Sequence, residues 1–231
     1  MDFTVTYISN SGFILETEEI LFVFDYQGDQ PQLVNSSLWE KGKKLVFLAS
    51  HSHGDHFSRK ILDFSGKLDT ALLLSGDIHA GDLAQYINER EETDIFGVKV
   101  EAYGSTDLGV SFLLDINGKR IFHAGDLNCW HWSDESTPQE SQQAKDFFDR
   151  IIATIKPPID IAFFPVDPRI GSGYDLGADI FIKKFRPKLF FPMHFRDAVY
   201  AATDFKSKHE GNPNTQIIPL TNAGEKYGGS I

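Results

Sequence analysis

Three histidines and an aspartate, all potential metal ligands, lie within the six residues 51–56. Residues 45–56 read LVFLASHSHGDH, so an apolar run leads directly into the polar residues. Such a run is typical of a strand buried on both faces, and the residues after it then lie on a loop at the strand's end. His51 and His53 are two residues apart, so their imidazoles can point the same way and bind one metal ion. Asp55 and His56 diverge from each other, and we expect them to serve a second ion nearby.

Two later strands are predicted to end in further metal ligands. Residues 120–124 run into Gly125 and Asp126, and residues 188–193 run into His194. Gly125 permits a tight turn that leaves Asp126 projecting from the end of its strand. A mixed sheet brings such strand ends to one edge. The sequence therefore predicts a site for one or two divalent ions, where histidine ligands favour zinc and added oxygen ligands favour manganese or iron.

The elements around these residues predict an α/β fold. Two groups of three short strands come first, and helices alternate with buried strands after residue 138. Strands are predicted at residues 3–8, 12–17, 20–25, 45–49, 71–75, 97–103, 109–115, 119–123, 159–165, 188–193 and 215–220. Helices are predicted at residues 38–41, 58–63, 80–91, 138–155, 177–185 and 197–208. Two mixed sheets that face each other, with helices outside, would cover the buried strands on both faces, which is a four-layer αββα sandwich.

Composition limits the classes of function. The chain has 231 residues, typical of one domain spanning residues 1–231, and a formal net charge of −11. That charge disfavours nucleic-acid binding, which depends on Lys and Arg neutralising phosphates. The single cysteine, Cys129, can form no internal disulfide. No apolar run approaches the roughly 20 residues of a membrane span, and the N-terminus lacks a signal-peptide pattern. We therefore expect a cytoplasmic protein with a small-molecule substrate; the sequence does not indicate its oligomeric state.

Three motifs resemble those of the metallo-β-lactamase superfamily. They are H-x-H-x-D-H at residues 51–56, HAGD at residues 123–126 and PMH at residues 192–194. The chain looks most similar to small single-domain members related to the ascorbate-phosphate lactonases and to uncharacterised zinc-dependent hydrolases. This resemblance also implies the αββα sandwich, with Asp126 shared by two metal ions and His194 as the last ligand of the second. Asp25, which follows a strand, resembles the aspartate that accepts a hydrogen bond from a ligand imidazole in this superfamily.

The chain departs from the superfamily pattern at the third histidine of the first site, because Tyr103 lies at the expected position. A phenol has a pKa near 10 and must ionise to bind a metal well. Three arrangements follow. His51, His53 and Asp126 fill the first site with water, Tyr103 itself binds, or only the second site holds metal. His123 is a further candidate ligand, although a histidine before AGD occurs in superfamily members without binding metal.

Residues near the predicted ligands are candidates for substrate contacts. The segment NCWHW at residues 128–132 follows Asp126 directly, so its aromatic residues, including His131, are expected to wall the pocket or to contact another subunit. Arg169 follows a predicted strand and is expected at the same edge, where it could pair with an anionic substrate group or form a structural ion pair.

These observations predict a metal-dependent hydrolase. A divalent ion lowers the pKa of its bound water, and the resulting hydroxide would attack an ester, lactone or phosphoester bond of a small anionic substrate. Asp55 would orient that water or act as its general base. The alternative is a non-hydrolytic protein of the same fold that binds or senses a ligand, since Tyr103 leaves the first metal site incomplete.

Overall fold

The chain folds into two seven-stranded mixed sheets. The computed structural model describes all 231 residues. The first sheet has the strand order β14-β1-β2-β3-β4-β5-β6, antiparallel from β14 to β3 and parallel from β3 to β6. Its strands are β1 (Asp2–Ser9), β2 (Gly12–Glu16), β3 (Ile20–Phe24), β4 (Lys44–Ala49), β5 (Thr70–Ser75), β6 (Gln85–Ile87) and β14 (Lys226–Ser230).

The second sheet repeats this plan. Its order is β13-β12-β11-β10-β9-β8-β7, parallel from β13 to β10 and antiparallel from β10 to β7. Its strands are β7 (Glu92–Ile95), β8 (Val98–Gly104), β9 (Val110–Ile116), β10 (Lys119–His123), β11 (Ile161–Pro165), β12 (Leu189–Met193) and β13 (Gln216–Ile217). The three α-helices are α1 (Pro138–Ile152), α2 (Leu176–Phe185) and α3 (Val199–Lys208). Each packs against the second sheet; the Phe148 ring of α1, for example, contacts Phe164 of β11.

The continuous apolar runs are explained by burial on both faces. In β3, Phe22 and Phe24 point between the sheets, whereas Leu21 and Val23 point to the outer face of the first sheet. The sheets meet through aromatic side chains, and the rings of Phe13 and Phe163 lie 4.7 Å apart. Because successive side chains of a strand point to opposite faces, one apolar run contributes both to the core between the sheets and to the core on the outer face.

The prediction of two mixed sheets is confirmed, as is helical cover on the second. The outer layer on the first sheet consists of short 3₁₀ helices, Ser36–Lys41 and Arg59–Phe64, with loops between them. Their apolar side chains Leu38, Ile61 and Phe64 fill the core on that face. No helix in the structure has the length and apolar character that crossing a membrane requires.

Three sequence predictions about elements are wrong. Residues 80–91 do not form an α-helix: a 3₁₀ turn, Gly81–Leu83, leads into β6, because pairing with β5 outweighs the local helical tendency. The predicted strand at residues 215–220 is reduced to Gln216–Ile217. Third, no strand was predicted for residues 226–230, KYGGS. They pair with β1 as β14, but they have no apolar alternation that would indicate a strand.

The candidate metal ligands lie at one edge of the two sheets. The parallel strands β3, β4, β10, β11 and β12 all end there, as does β8, which runs parallel to β10 through β9 between them. The residues that follow these strand ends form the candidate site.

Candidate metal centre

The loop after β4 is held in place by two carboxylates from neighbouring strand ends. Asp25 accepts hydrogen bonds from the backbone N–H of Ser50 and from its hydroxyl, both at 2.8 Å. Asp77, after β5, accepts the backbone N–H of Ser52 at 2.8 Å. The loop that carries the histidines is therefore fixed by hydrogen bonds to two carboxylates, Asp25 and Asp77.

Three residues form what we call the inner cluster: Asp55, His56 and His194. The two imidazole rings are almost completely buried, and Asp126 approaches them from the end of β10. Its Oδ1 atom lies 3.0 Å from Nε2 of His56 and 3.2 Å from Nε2 of His194. Asp55 Oδ2 is 3.6 Å from Nε2 of His194. The three residues of the inner cluster and Asp126 thus direct their ligand atoms at one point.

The inner cluster fits a divalent metal ion. Nε2 of His56, Nε2 of His194 and Oδ1 of Asp126 are all buried, and none of them makes a well-aligned hydrogen bond, although the oxygen lies 3.0 and 3.2 Å from the two nitrogens. Buried polar atoms without partners are rare, because each costs about 1–3 kcal/mol. Two imidazole nitrogens and a carboxylate oxygen that converge in this manner form a typical donor set for zinc or another transition metal.

A carboxylate backs each imidazole of the inner cluster. Asp25 Oδ2 lies 2.7 Å from Nδ1 of His56, and Asp167 Oδ2 lies 2.9 Å from Nδ1 of His194. Hydrogen bonds of this kind fix the ring orientation and leave Nε2 free for a metal. The geometry of Asp25 agrees with the role that the resemblance implies. Asp167 was not predicted, although it follows the end of β11 as Asp126 follows β10.

A second group, the outer cluster, consists of His51, His53, Asp107 and Asp126. Nε2 of His51 lies 3.0 Å from Nδ1 of His53 and 3.4 Å from Asp126 Oδ2. Asp107 Oδ2 lies 3.6 Å from Nδ1 of His53. Asp126 therefore faces the inner cluster with one oxygen and the outer cluster with the other, the arrangement of a carboxylate shared by two ions.

The turn between β8 and β9 brings Asp107 to this position. Val110 donates its backbone N–H to the Ser50 carbonyl at 2.9 Å, and Gly109 passes so close that an added Cβ would lie 2.0 Å from that oxygen. Gly109 also has a φ of +69°, which favours glycine. Thr106 then joins the turn to the loop after β10 by donating to the Asn128 carbonyl at 2.7 Å.

The electrostatics of the two clusters differ. Burial, together with the neighbouring His56, lowers the pKa of His51 below its ordinary value, so this imidazole is neutral at pH 7. Burial also acts to lower the pKa of His56, but Asp25 and Asp126 outweigh it and raise the pKa to about 10. The pKa of His194 is raised in the same way, because Asp126 and Asp167 outweigh its burial. Before metal binds, the inner cluster therefore holds protons.

The structure gives the Tyr103 hydroxyl a partner that belongs to neither cluster, which disfavours Tyr103 as a metal ligand. Its hydroxyl donates to Glu101 at 2.9 Å, beside Lys156. Burial and the Glu101 carboxylate raise the pKa of Tyr103, which disfavours the phenolate form further. Asp107, four residues later, is the third-ligand candidate of the first site that sequence reasoning missed.

The hydrogen bonds of His123 also disfavour it as a metal ligand. Nε2 lies 2.9 Å from the Ser11 carbonyl, and Nδ1 accepts the Gly125 N–H at 3.2 Å. Its ring stacks on Phe24 with the centroids 4.8 Å apart. Both nitrogens are used within the protein, so His123 supports the turn that carries Asp126.

The aromatic segment after Asp126 partly lines a cavity beside the clusters. The cavity has a volume of about 360 Å³. It is lined by His53, Asp55, Thr106, Asp107, Asp126, Trp130, Trp132, Arg169, His194 and Arg196. His131 is absent from this wall: its Nδ1 lies 2.9 Å from the Cys129 carbonyl and its Nε2 lies 3.1 Å from the Ser172 carbonyl, so it fastens the segment to a neighbouring loop.

Arg169 has a structural partner as well as a place on the cavity wall. Its Nε lies 3.0 Å from both oxygens of Asp167, and its guanidinium thereby supports the carboxylate that orients His194. Both sequence interpretations of Arg169 thus describe part of its setting, a structural ion pair and a position facing the cavity.

Comparison with known proteins finds relatives that are named metal-dependent hydrolases. No protein-family model matches the chain. A UPF0173 metal-dependent hydrolase of Pyrococcus abyssi is 24% identical over 214 residues, covering 83% of this chain and 84% of its own length. Igni18, a metallo hydrolase of Ignicoccus hospitalis, superposes with a TM-score of 0.69 at 17% identity over 100% of both chains.

A metallo-beta-lactamase fold protein of Bacillus subtilis superposes with a TM-score of 0.61 at 12% identity over 99% of both chains. Both alignments cover nearly the whole chain and therefore both sheets. The resemblance derived from the three sequence motifs is confirmed, and the chain is a protein of the metallo-β-lactamase fold.

Proposed function

We propose that this protein is a metal-dependent hydrolase that cleaves an ester, lactone or phosphoester bond in a small molecule. The names of its relatives support metal-dependent hydrolysis in general. The observation that carries the proposal is the convergence of buried ligand atoms from His56, His194 and Asp126 on one point. A divalent ion bound by these residues would supply an activated water molecule and polarise the bond to be cleaved.

Asp55 is the residue we propose for orienting the attacking water. Its Oδ2 accepts a hydrogen bond from Arg196 at 2.8 Å and from the Asn10 amide at 3.3 Å. The neighbouring His194 contributes most to holding the pKa of Asp55 well below its usual range. A carboxylate with so low a pKa is a weak base but a good hydrogen-bond acceptor, which favours orientation over proton abstraction.

For the metal, we propose zinc in the inner cluster. His56, His194 and Asp126 would hold the ion with two imidazole nitrogens and a carboxylate oxygen, a donor set that suits zinc, and Asp55 lies beside them to orient water. The outer cluster offers two imidazoles and two carboxylates, so it suits zinc, manganese or iron. The replacement of a third histidine by Asp107 changes the donor set but leaves four candidate ligands.

The non-hydrolytic alternative rests on an incomplete first site, with Tyr103 at the third-histidine position. Asp107 offers that site a further candidate ligand, which supports the hydrolase proposal. The alternative predicts a distinct result, namely metal binding without turnover.

The test combines metal analysis with a substrate panel. We expect purified protein to contain a divalent metal by plasma mass spectrometry and to hydrolyse at least one member of a panel of a carboxylic ester, a lactone, a thioester and a phosphodiester. His194→Ala should lower both metal content and turnover at least 100-fold, because it removes a ligand. His79→Ala is the matched control, since this exposed histidine lies outside both clusters. Metal-loaded protein that turned over no member of the panel would contradict the proposal.

A further inference from the structure

A basic and aromatic wall faces the carboxylates of the candidate site. Arg196 donates from one nitrogen to Asp55 Oδ2 at 2.8 Å, and its other guanidinium nitrogens donate no hydrogen bond within the protein. Its side chain is 47% exposed and borders two cavities, the one described above and a second of about 460 Å³ that also includes Asp55. A charged group with free donors is therefore presented beside the ligand cluster.

The backbone around Arg196 holds it in this position. Arg196 has a φ of +50°, and His194, two residues before it, has a φ of +62°. Non-glycine residues rarely adopt this left-handed conformation, which costs about 1–3 kcal/mol and is found preferentially where function requires it. The strained turn directs the His194 imidazole into the inner cluster and the Arg196 guanidinium to the cavity mouth.

Two tryptophans form a flat apolar surface in the same cavity. The rings of Trp130 and Trp132 stack with centroids 5.8 Å apart and an interplanar angle of 17°. Trp130 is fixed because its indole N–H donates to the Asp126 carbonyl at 2.8 Å, and its ring meets His194 edge-on at 5.8 Å. Trp132, with a φ of +40°, is another left-handed residue at the site.

We propose that Arg196 and the Trp130–Trp132 pair select a substrate in which an oxyanion, a carboxylate or a phosphate, is attached to a flat apolar group. The guanidinium forms charge-assisted hydrogen bonds to the oxyanion while the flat group packs on the indoles. Asp55, Asp107 and Asp126 line the same cavity and repel an anion, so bound divalent cations are needed to balance them. The substrate class rests on the proposed hydrolase function, but the recognition itself is measurable by binding.

Tryptophan fluorescence reports this binding, because two of the three tryptophans line the cavity and the third, Trp39, packs on Phe64 at the outer face of the first sheet. The metal-loaded protein is titrated with 4-nitrobenzoate, with its neutral analogue 4-nitrobenzamide and with 4-nitrophenylphosphonate. We expect both anions to quench the fluorescence, with a Kd at least tenfold lower than that of the amide. The tighter of the two anions distinguishes a carboxylate site from a phosphate site.

Variants of Arg196 separate its contribution from that of the metal. Arg196→Gln keeps a hydrogen-bond donor for Asp55 but loses the charge, so the affinity for the anions should fall about tenfold or more. Arg196→Lys should recover part of that loss. Arg150→Gln, on the exposed face of α1, is the control and should leave every Kd unchanged.

Two results would overturn the proposal. One is equal affinity of the wild-type protein for 4-nitrobenzoate and 4-nitrobenzamide. The other is unchanged anion affinity in Arg196→Gln, which would mean that the anion is held without Arg196, by the metal ions or by Arg169 on the same cavity wall. Since the readout is binding, an inactive substrate panel contradicts the hydrolase function without deciding the anion site, and the two failures are distinguishable.

Discussion

The two ligand clusters share a loop and a carboxylate but differ in their surroundings. In the inner cluster, His56 and His194 are almost fully buried, and each has a carboxylate behind its ring. In the outer cluster, the side chains of His53 and Asp107 are 45% and 41% exposed. Nδ1 of His51 faces the Ser50 hydroxyl at 3.0 Å, whereas Nδ1 of each inner imidazole faces a carboxylate.

The inner cluster is better preorganised for metal binding than the outer cluster. The ligand side chains of the inner cluster are already buried and ordered, and the hydrogen bonds from Asp25 and Asp167 prevent the two rings from turning away. The outer cluster must order two exposed side chains when it binds, which costs conformational entropy. We therefore expect the inner cluster to bind its metal ion more tightly, and the outer ion to exchange more readily.

Removing the shared carboxylate should affect both clusters and produce the largest effect. Asp126→Asn replaces a charged ligand by a neutral amide at the point where the clusters meet. We expect both ions to be lost on dialysis and turnover to fall by about 10³-fold, since several kcal/mol of metal assistance disappears. Asp204→Asn, on an exposed position of α3, is the matched control. Retention of one ion in Asp126→Asn would show that one cluster is sufficient without it.

Weakening the support of the inner cluster should lower its affinity selectively. Asp25→Asn removes the carboxylate behind His56, and we expect the affinity for the tighter ion to fall 10–100-fold, measured by competition with a chelator. Asp77→Asn provides the comparison, because Asp77 also holds a backbone N–H of the same loop but touches no ligand imidazole. Equal losses in both variants would mean that loop rigidity, rather than the carboxylate–imidazole contact, governs the affinity.

The pH dependence of metal binding should also distinguish the clusters. In the metal-free protein the pKa of His56 is raised to about 10, so a proton must leave before this imidazole can bind metal. We expect the affinity of the tighter ion to rise about tenfold per pH unit for each displaced proton from pH 7 to 9. His51 has a lowered pKa and should contribute no such slope in that range. Isothermal calorimetry in buffers of different ionisation enthalpy would count the released protons.

The same raised pKa has a consequence for the stability of the metal-free protein. A group whose pKa is higher when folded stabilises the fold below its unfolded pKa, near 6.5 for histidine. For His56 that contribution is lost as the pH rises through about 10. The metal-free protein should therefore lose stability at alkaline pH, and metal should oppose this loss because it replaces the proton.

Much of the fold could be predicted because its strands are buried on both faces. The uninterrupted run in β4 and the apolar strands β10, β11 and β12 have few alternatives to a sheet covered on each side. β14 was missed because Lys226–Ser230 contains two glycines and no apolar alternation, so only pairing with β1 makes it a strand. β6 was mistaken for a helix for the same reason, since its partner β5 decides its conformation.

The candidate site was predictable where ligands are adjacent in sequence and less so where they come from separate turns. The loop at residues 51–56 displays its own spacing, and Asp126 and His194 follow apolar strands. Asp107 does not directly follow its strand: the turn after β8 runs through Ser105 and Thr106 first, and its course depends on the close contact of Gly109 with Ser50. Asp167 follows the end of β11 as Asp126 follows the end of β10, but the sequence does not show that it would support a ligand imidazole.

Exchanging the third ligand of the outer cluster should change the weaker ion alone. Asp107→Ala should lower the affinity for that ion about tenfold, because one of four ligands is lost, and leave the inner ion in place. Asp107→His should shift the outer cluster toward zinc over manganese, since it exchanges an oxygen ligand for a nitrogen ligand. Metal content after loading with an equimolar mixture of both ions measures the shift. An unaltered ratio in Asp107→His would exclude Asp107 as a ligand.

The smallest effect is expected at Tyr103, which the sequence offered as one possible ligand of the first metal site. Tyr103→Phe removes only the hydrogen bond to Glu101, so the free energy of unfolding should fall by about 1 kcal/mol and Tm by about 2–4 °C. Tyr227→Phe serves as the control, because its hydroxyl donates no hydrogen bond within the protein. Metal content should be the same in both variants and in the wild-type protein. A lower metal content in Tyr103→Phe alone would return the phenol to the outer cluster and remove the reason for assigning Asp107 there.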